Sequence, residues 1–181
     1  MARLDPLKPE EMNAEQRAAF EHAKAHGGRL GGPNGIYIRV PELFGLAQGI
    51  GNHLLASACP PRMRQMAIIV AARYWNAEYP WAVQARAALT MGIERTIVDA
   101  VNEGRRPDFT SDDDTLAYDL ASELVRRGGL SDESFAKGEK RLGFNGLMDF
   151  VAVCGFYTSV ALVTNVYKVD APADIPVPLK R

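Results

Sequence analysis

The stretch Arg73-Tyr74-Trp75-Asn76-Ala77-Glu78-Tyr79-Pro80-Trp81 gathers four large rings around one carboxylate at a break in a helical pattern. Rings with polar handles beside an acid suit a pocket, where Glu78 or the phenols of Tyr74 and Tyr79 could move a proton. Arg73 could grip a carboxylate with both arms of its guanidinium. The competing reading is that the rings only fill core where two helices diverge. Other reactive residues are sparse. His22, His26 and His53 lack the close spacing of metal ligands, so no metal or other cofactor is expected. Cys59 and Cys154 cannot form a disulfide scaffold or a four-thiolate site, and read as small core hydrophobes in a reducing compartment.

Helix-period patterns with caps must position these residues, and no strand-like alternation persists. The sequence predicts an all-α chain of six to seven helices. The first runs from about Asn13, an N-cap with Gln16 in capping-box position, to His26. Gly27 to Gly35 is a glycine-rich connection; with no preceding strand and no following Gly-Lys-Ser/Thr, it does not match a phosphate cradle. Pro41 opens a helix ending near Cys59, and another lies between Pro61 and Asn76. Glu78 to Met91 follows, with Pro80 tolerated in its first turn, and then Glu94 to Glu103. Ser111 and the three aspartates after it begin the next helix, which Arg126-Arg127-Gly128 ends. Ser131 caps a shorter one to Leu142. The last, from about Asn145 to Val169, is apolar on nearly every side and must be surrounded, so it is expected to be a central core helix shared with a neighbouring subunit rather than a membrane span. Residues 172–181 form an extended proline-containing tail.

The composition fits one soluble domain over residues 1–181. With 21 basic and 22 acidic side chains the net charge is -1, which argues against neutralisation of a nucleic-acid backbone or anchoring on an anionic membrane. The first ten residues hold no apolar run, and a cytoplasmic location is expected.

Several short pieces, in order, resemble the carboxymuconolactone decarboxylase family of the alkylhydroperoxidase D-like fold. They are Gly32-Pro33-Asn34-Gly35, Pro61-Arg62-Met63-Arg64-Gln65-Met66-Ala67-Ile68, Trp75-Asn76-Ala77-Glu78-Tyr79-Pro80-Trp81, Gly104-Arg105-Arg106-Pro107 and Gly155-Phe156-Tyr157-Thr158. The resemblance covers almost the whole chain. It implies a helical bundle assembling as trimers or hexamers, with a small molecule as partner. The peroxidase branch has a glutamate, two cysteines and a histidine where this chain has Gln65, Ala77, Pro80 and Gln84. Thiol peroxidation needs a reactive thiolate, so that activity is excluded by chemistry. The decarboxylase branch keeps the glutamate and histidine as its titrating pair. Glutamine cannot gain or lose a proton near neutral pH, so the resemblance assigns Gln65 and Gln84 to hydrogen-bonding a substrate. Trp75, Trp81 and Tyr74 would wall that substrate in, and Glu78 or Tyr79 would transfer the proton. The reaction expected is loss of carbon dioxide from a small lactone acid or ring acid. The alternative is a non-catalytic relative that binds a small molecule or a partner.

Overall fold

The computed structural model describes residues 2–5 and 7–180; residues 1, 6 and 181, the last being the end of the expected tail, lie outside it. The described residues are helical with no strand. The helices are α1 (Ala14–Ala25), α2 (Asn34–Tyr37), α3 (Pro41–Leu55), α4 (Pro61–Tyr74), α5 (Glu78–Thr90), α6 (Arg95–Asn102), α7 (Asp112–Arg127) and α8 (Asp132–Tyr167).

Local chemistry sets most boundaries. The Asn13 side chain accepts from the Gln16 N–H at 2.9 Å while Gln16 accepts from the Asn13 N–H at 3.0 Å, closing a capping box. Ser111 accepts from the Asp114 N–H, and Gly128 ends α7 in the left-handed conformation. The two last predicted helices are arms of α8, which breaks at Gly143 (φ 65°, ψ 176°), a conformation that a side chain disfavours. The second long helix stops at Leu55, four residues before the expected Cys59. Asn76, expected at the end of α4, is instead a left-handed turn residue between α4 and α5.

The helix surrounded on all sides is α4. Nine of its fourteen residues are buried, and α5, α6, α7 and α8 pack around it. The last helix, expected to be a core helix shared with a neighbouring subunit, packs on α3, α4, α5 and α7 and leaves one apolar face uncovered within the chain. On α8 the side chains of Phe144, Met148, Val151, Leu162 and Val166 are exposed. A window of α8 with mean hydropathy 1.7 is long and apolar enough to cross a membrane, and 44% of it is buried inside the molecule. A second, smaller cluster joins Tyr37, Ile38, Phe44 and Ala47 to α1, and Phe156 of α8 packs against both clusters. The candidate site lies at that seam.

Candidate functional site

Gln65 projects from α4 and is buried; Gln84 projects from α5. The Gln65 amide Nε2 donates to the Gln84 side-chain oxygen at 3.0 Å and to its backbone oxygen at 2.9 Å. Gln84 Nε2 donates in turn to the Tyr157 hydroxyl oxygen on α8 at 3.3 Å. The Arg29 guanidinium stands beside the same hydroxyl. Amide and guanidinium N–H groups only donate, so the phenol oxygen is the acceptor toward both. Its own O–H is left to donate to something else.

Arg29, Tyr79, Gln84 and Tyr157 line a cavity of about 240 Å³. Val83, Phe156 and Val160 supply an apolar wall, and Asn34, Gln48 and Asn52 supply amides. The glycine-rich connection closes one side and is more than a tether. Gln48 of α3 donates to the Arg29 carbonyl at 2.7 Å and accepts from the Arg29 N–H at 3.2 Å, and it also donates to Asn34 Oδ1 at 3.1 Å. Gly32 is left-handed (φ 61°), and a Cβ there would come within 2.2 Å of the Tyr79 ring. Glycine at this position lets the loop backbone lie against Tyr79.

Burial pushes the Tyr79 phenol above its ordinary value. Burial also pushes up the Tyr157 phenol, against the opposing charge and hydrogen bonding of Arg29. Both phenols are therefore neutral donors near pH 7. No carboxylate, imidazole or thiol is among the described lining residues. The two thiols lie elsewhere, buried and unpaired; burial raises Cys59 to about 11 and Cys154 to about 12, well away from reactive thiolates.

No protein-family model matches the chain, and no curated protein matches it. The arrangement of the predicted residues thus rests on geometry alone. Three of them converge: Gln65 and Gln84 touch, and Gln84 and Tyr79 line the cavity. The others do not join them. Glu78 is exposed and lines a neighbouring cavity of about 560 Å³ with Lys168 and Asp170; among the described residues Tyr79 alone lines both spaces. Trp81 is fully buried, and its indole N–H donates to the Val177 carbonyl at 2.8 Å, pinning the tail. Trp75 donates to Thr158 Oγ1 at 3.2 Å, and Tyr74 is exposed. Arg73 is spent on the Asn102 carbonyl at 2.6 Å. Sequence reading missed Arg29, Gln48 and Tyr157. A signal existed for the first, since Arg29 is the one charged residue between Gly27 and Gly35.

Proposed function

We propose that the chain is a divergent relative of the carboxymuconolactone decarboxylases, a lyase that takes a small lactone acid or ring acid into the cavity beside Gln84, Tyr79 and Tyr157. The observation that carries this reading is the amide-to-phenol chain from Gln65 through Gln84 to Tyr157, which ends with an O–H donor at the cavity. Roughly 150 Å³ of apolar space accommodates benzene, so about 240 Å³ suits one ring with its oxygen substituents.

Decarboxylation suits a lining of donors because it requires no base. The bond from a ring carbon to the carboxylate breaks and carbon dioxide leaves. The electron pair moves onto a conjugated carbonyl oxygen, where the Tyr157 O–H stabilises the enolate. The Tyr79 proton then goes to the carbon, and the phenolate recovers a proton from water. Gln84, held by Gln65, fixes Tyr157 in place. The proton role thus passes to Tyr79, because Glu78 opens onto the other cavity. The test is release of carbon dioxide from carboxymuconolactone. Tyr79→Phe should lower kcat about a hundredfold, within the range of a lost general acid. A comparable loss in Glu78→Gln with little loss in Tyr79→Phe would return the role to Glu78.

The neutrality of Gln65 and Gln84 favours a second reading, a binder without turnover. Gln65→Glu combined with Gln84→His decides between them: carbon dioxide release gained only by the double variant marks wild type as a scaffold that lost its acid-base pair. The apolar side chains left uncovered on α3 and α8, Leu46 and Ile50 among them, support assembly into a trimer or hexamer. Sedimentation as a monomer in detergent-free buffer would remove that part.

A further inference from the structure

Arg29 has no place in the proton transfer, yet the structure equips it with more support than a surface arginine needs. Its backbone is clamped on both sides by Gln48, so the loop fixes where the guanidinium starts. Its head reaches the Tyr157 hydroxyl at the cavity. Several arginines elsewhere, Arg62, Arg106 and Arg141 among them, are tied to carboxylates of the chain itself, and Arg64 and Arg73 are tied to backbone carbonyls. The cavity that Arg29 borders contains no described carboxylate to play that part, and Val83, Phe156 and Val160 give it an apolar wall.

We infer that Arg29 is the anion anchor of the cavity: its guanidinium binds the carboxylate of a ring acid whose ring lies against Val83, Phe156 and Val160, and the Tyr157 O–H is left for the oxygen that gains charge. This rests on the cavity being a small-molecule site. A guanidinium matches a carboxylate in shape and charge. Arg29 is an exposed residue at the mouth, so water screens it and the preference for an anion is moderate. A consequence follows for the reaction. A carboxylate held this way is stabilised as an anion and is a poor leaving group, so the carboxylate lost as carbon dioxide must be a different one. A simple monoacid should bind and not react.

The probes are benzoate and benzamide, which share a shape and differ in charge. Titration calorimetry on the full chain should show benzoate binding about tenfold tighter than benzamide, the effect of one partly screened charge-assisted contact. Added salt should narrow that ratio. Arg29→Gln should bring it close to one, and Arg29→Lys should restore part of it. Equal binding of the two probes to wild type, a ratio that survives Arg29→Gln, or no saturable benzoate binding at millimolar concentration would each overturn the inference. The wild-type comparison and its salt dependence stand even if a variant misfolds. Carbon dioxide release is scored separately. A benzoate preference without any turnover of lactone acids removes the lyase reading and keeps the anchor. Turnover that is indifferent to Arg29→Gln, with no benzoate preference, does the reverse.

Discussion

Two polar knots sit one helical turn apart on α4 and are built on opposite terms. At the helix start, Arg62 grips Asp114 of α7 with Nε at 2.8 Å and a terminal nitrogen at 2.7 Å. The same guanidinium donates to Glu94 at 2.6 Å and to the Gly92 carbonyl at 2.6 Å. The Asp114 side chain is only 2% exposed. Asp114, by hydrogen bonding, raises the Arg62 pKa further above its already high ordinary value. All three guanidinium nitrogens of Arg62 are engaged, so the clasp joins α4, α7 and the turn before α6. Three residues on, Gln65 begins a chain that is uncharged until Arg29 and ends at an open volume with a donor to spare. Charge closed on itself marks a fastener. A neutral chain that ends with a donor at a cavity marks a site.

The sharpest way to break this contrast is Asp114→Asn, which keeps shape and removes the charge. Taking one partner from a fully buried pair costs about 3–5 kcal/mol. The Arg62 side chain is 34% exposed, so the expected loss in urea unfolding is smaller, about 2–3 kcal/mol, because water partly solvates the orphaned cation. Ligand binding in the cavity should not change. A loss below about 1 kcal/mol would put Arg62 among ordinary surface pairs and dissolve the distinction.

The neutral knot should fail differently. In Gln65→Glu the new carboxylate would face two oxygens of Gln84 that now accept from the Gln65 amide. Burial and that repulsion raise its folded pKa above the unfolded value of about 4.3. Below that value both states are protonated and the variant should match wild type. As pH rises through the folded pKa, stability falls, reaching a deficit of about 1–2 kcal/mol near neutrality, within the cost of an unsatisfied buried acceptor. Adding Gln84→His should recover most of it by supplying a cationic partner. Urea unfolding from pH 4 to 8 measures the trend, and a flat profile would show that Gln84 turns its amide over to donate, reversing the direction of the whole chain.

These two regions also show what a sequence can disclose. The capping box of Asn13 and Gln16, the Ser111 cap and the Gly128 stop are local chemistry, and each lies where the spacing predicted. The contact of Gln65 with Gln84 came from a resemblance in motif spacing, and the structure joins them. What stayed hidden depends on partners far along the chain. Nothing near Arg29 announces that Gln48, nineteen residues on, fixes it. Nothing near Trp81 announces Val177, 96 residues on, so a ring assigned to a pocket wall proved to be a tail anchor. The apolar face of α8 was legible in a limited way: composition records that a side chain needs cover, while only the fold shows that the cover within this chain goes to α4.

A third polar pair gives the smallest and most discriminating test. His53 Nε2 lies 2.9 Å from Asp149 Oδ1, and the Ala58 N–H donates to Asp149 Oδ2 at 2.8 Å. Burial pushes the Asp149 carboxyl up, but the bonds from His53 and Ala58 more than offset it, leaving the group below its ordinary value. A carboxyl lowered in this way contributes stability above the unfolded value of about 3.9 and loses it as pH falls through the folded one. The pair resembles the Arg62 clasp in form, yet the His53 side chain is 66% exposed. In His53→Asn the Ala58 N–H still holds the carboxylate, so the expected loss is at most about 0.5 kcal/mol, with acid unfolding starting at slightly higher pH. If the variant instead loses as much as Asp114→Asn, exposure is the wrong discriminator and an ion pair of any burial fastens this fold. If it loses almost nothing, burial of the carboxylate alone does not make a fastener, and the Arg62 clasp owes its strength to the cation being held by Asp114, Glu94 and the Gly92 carbonyl together.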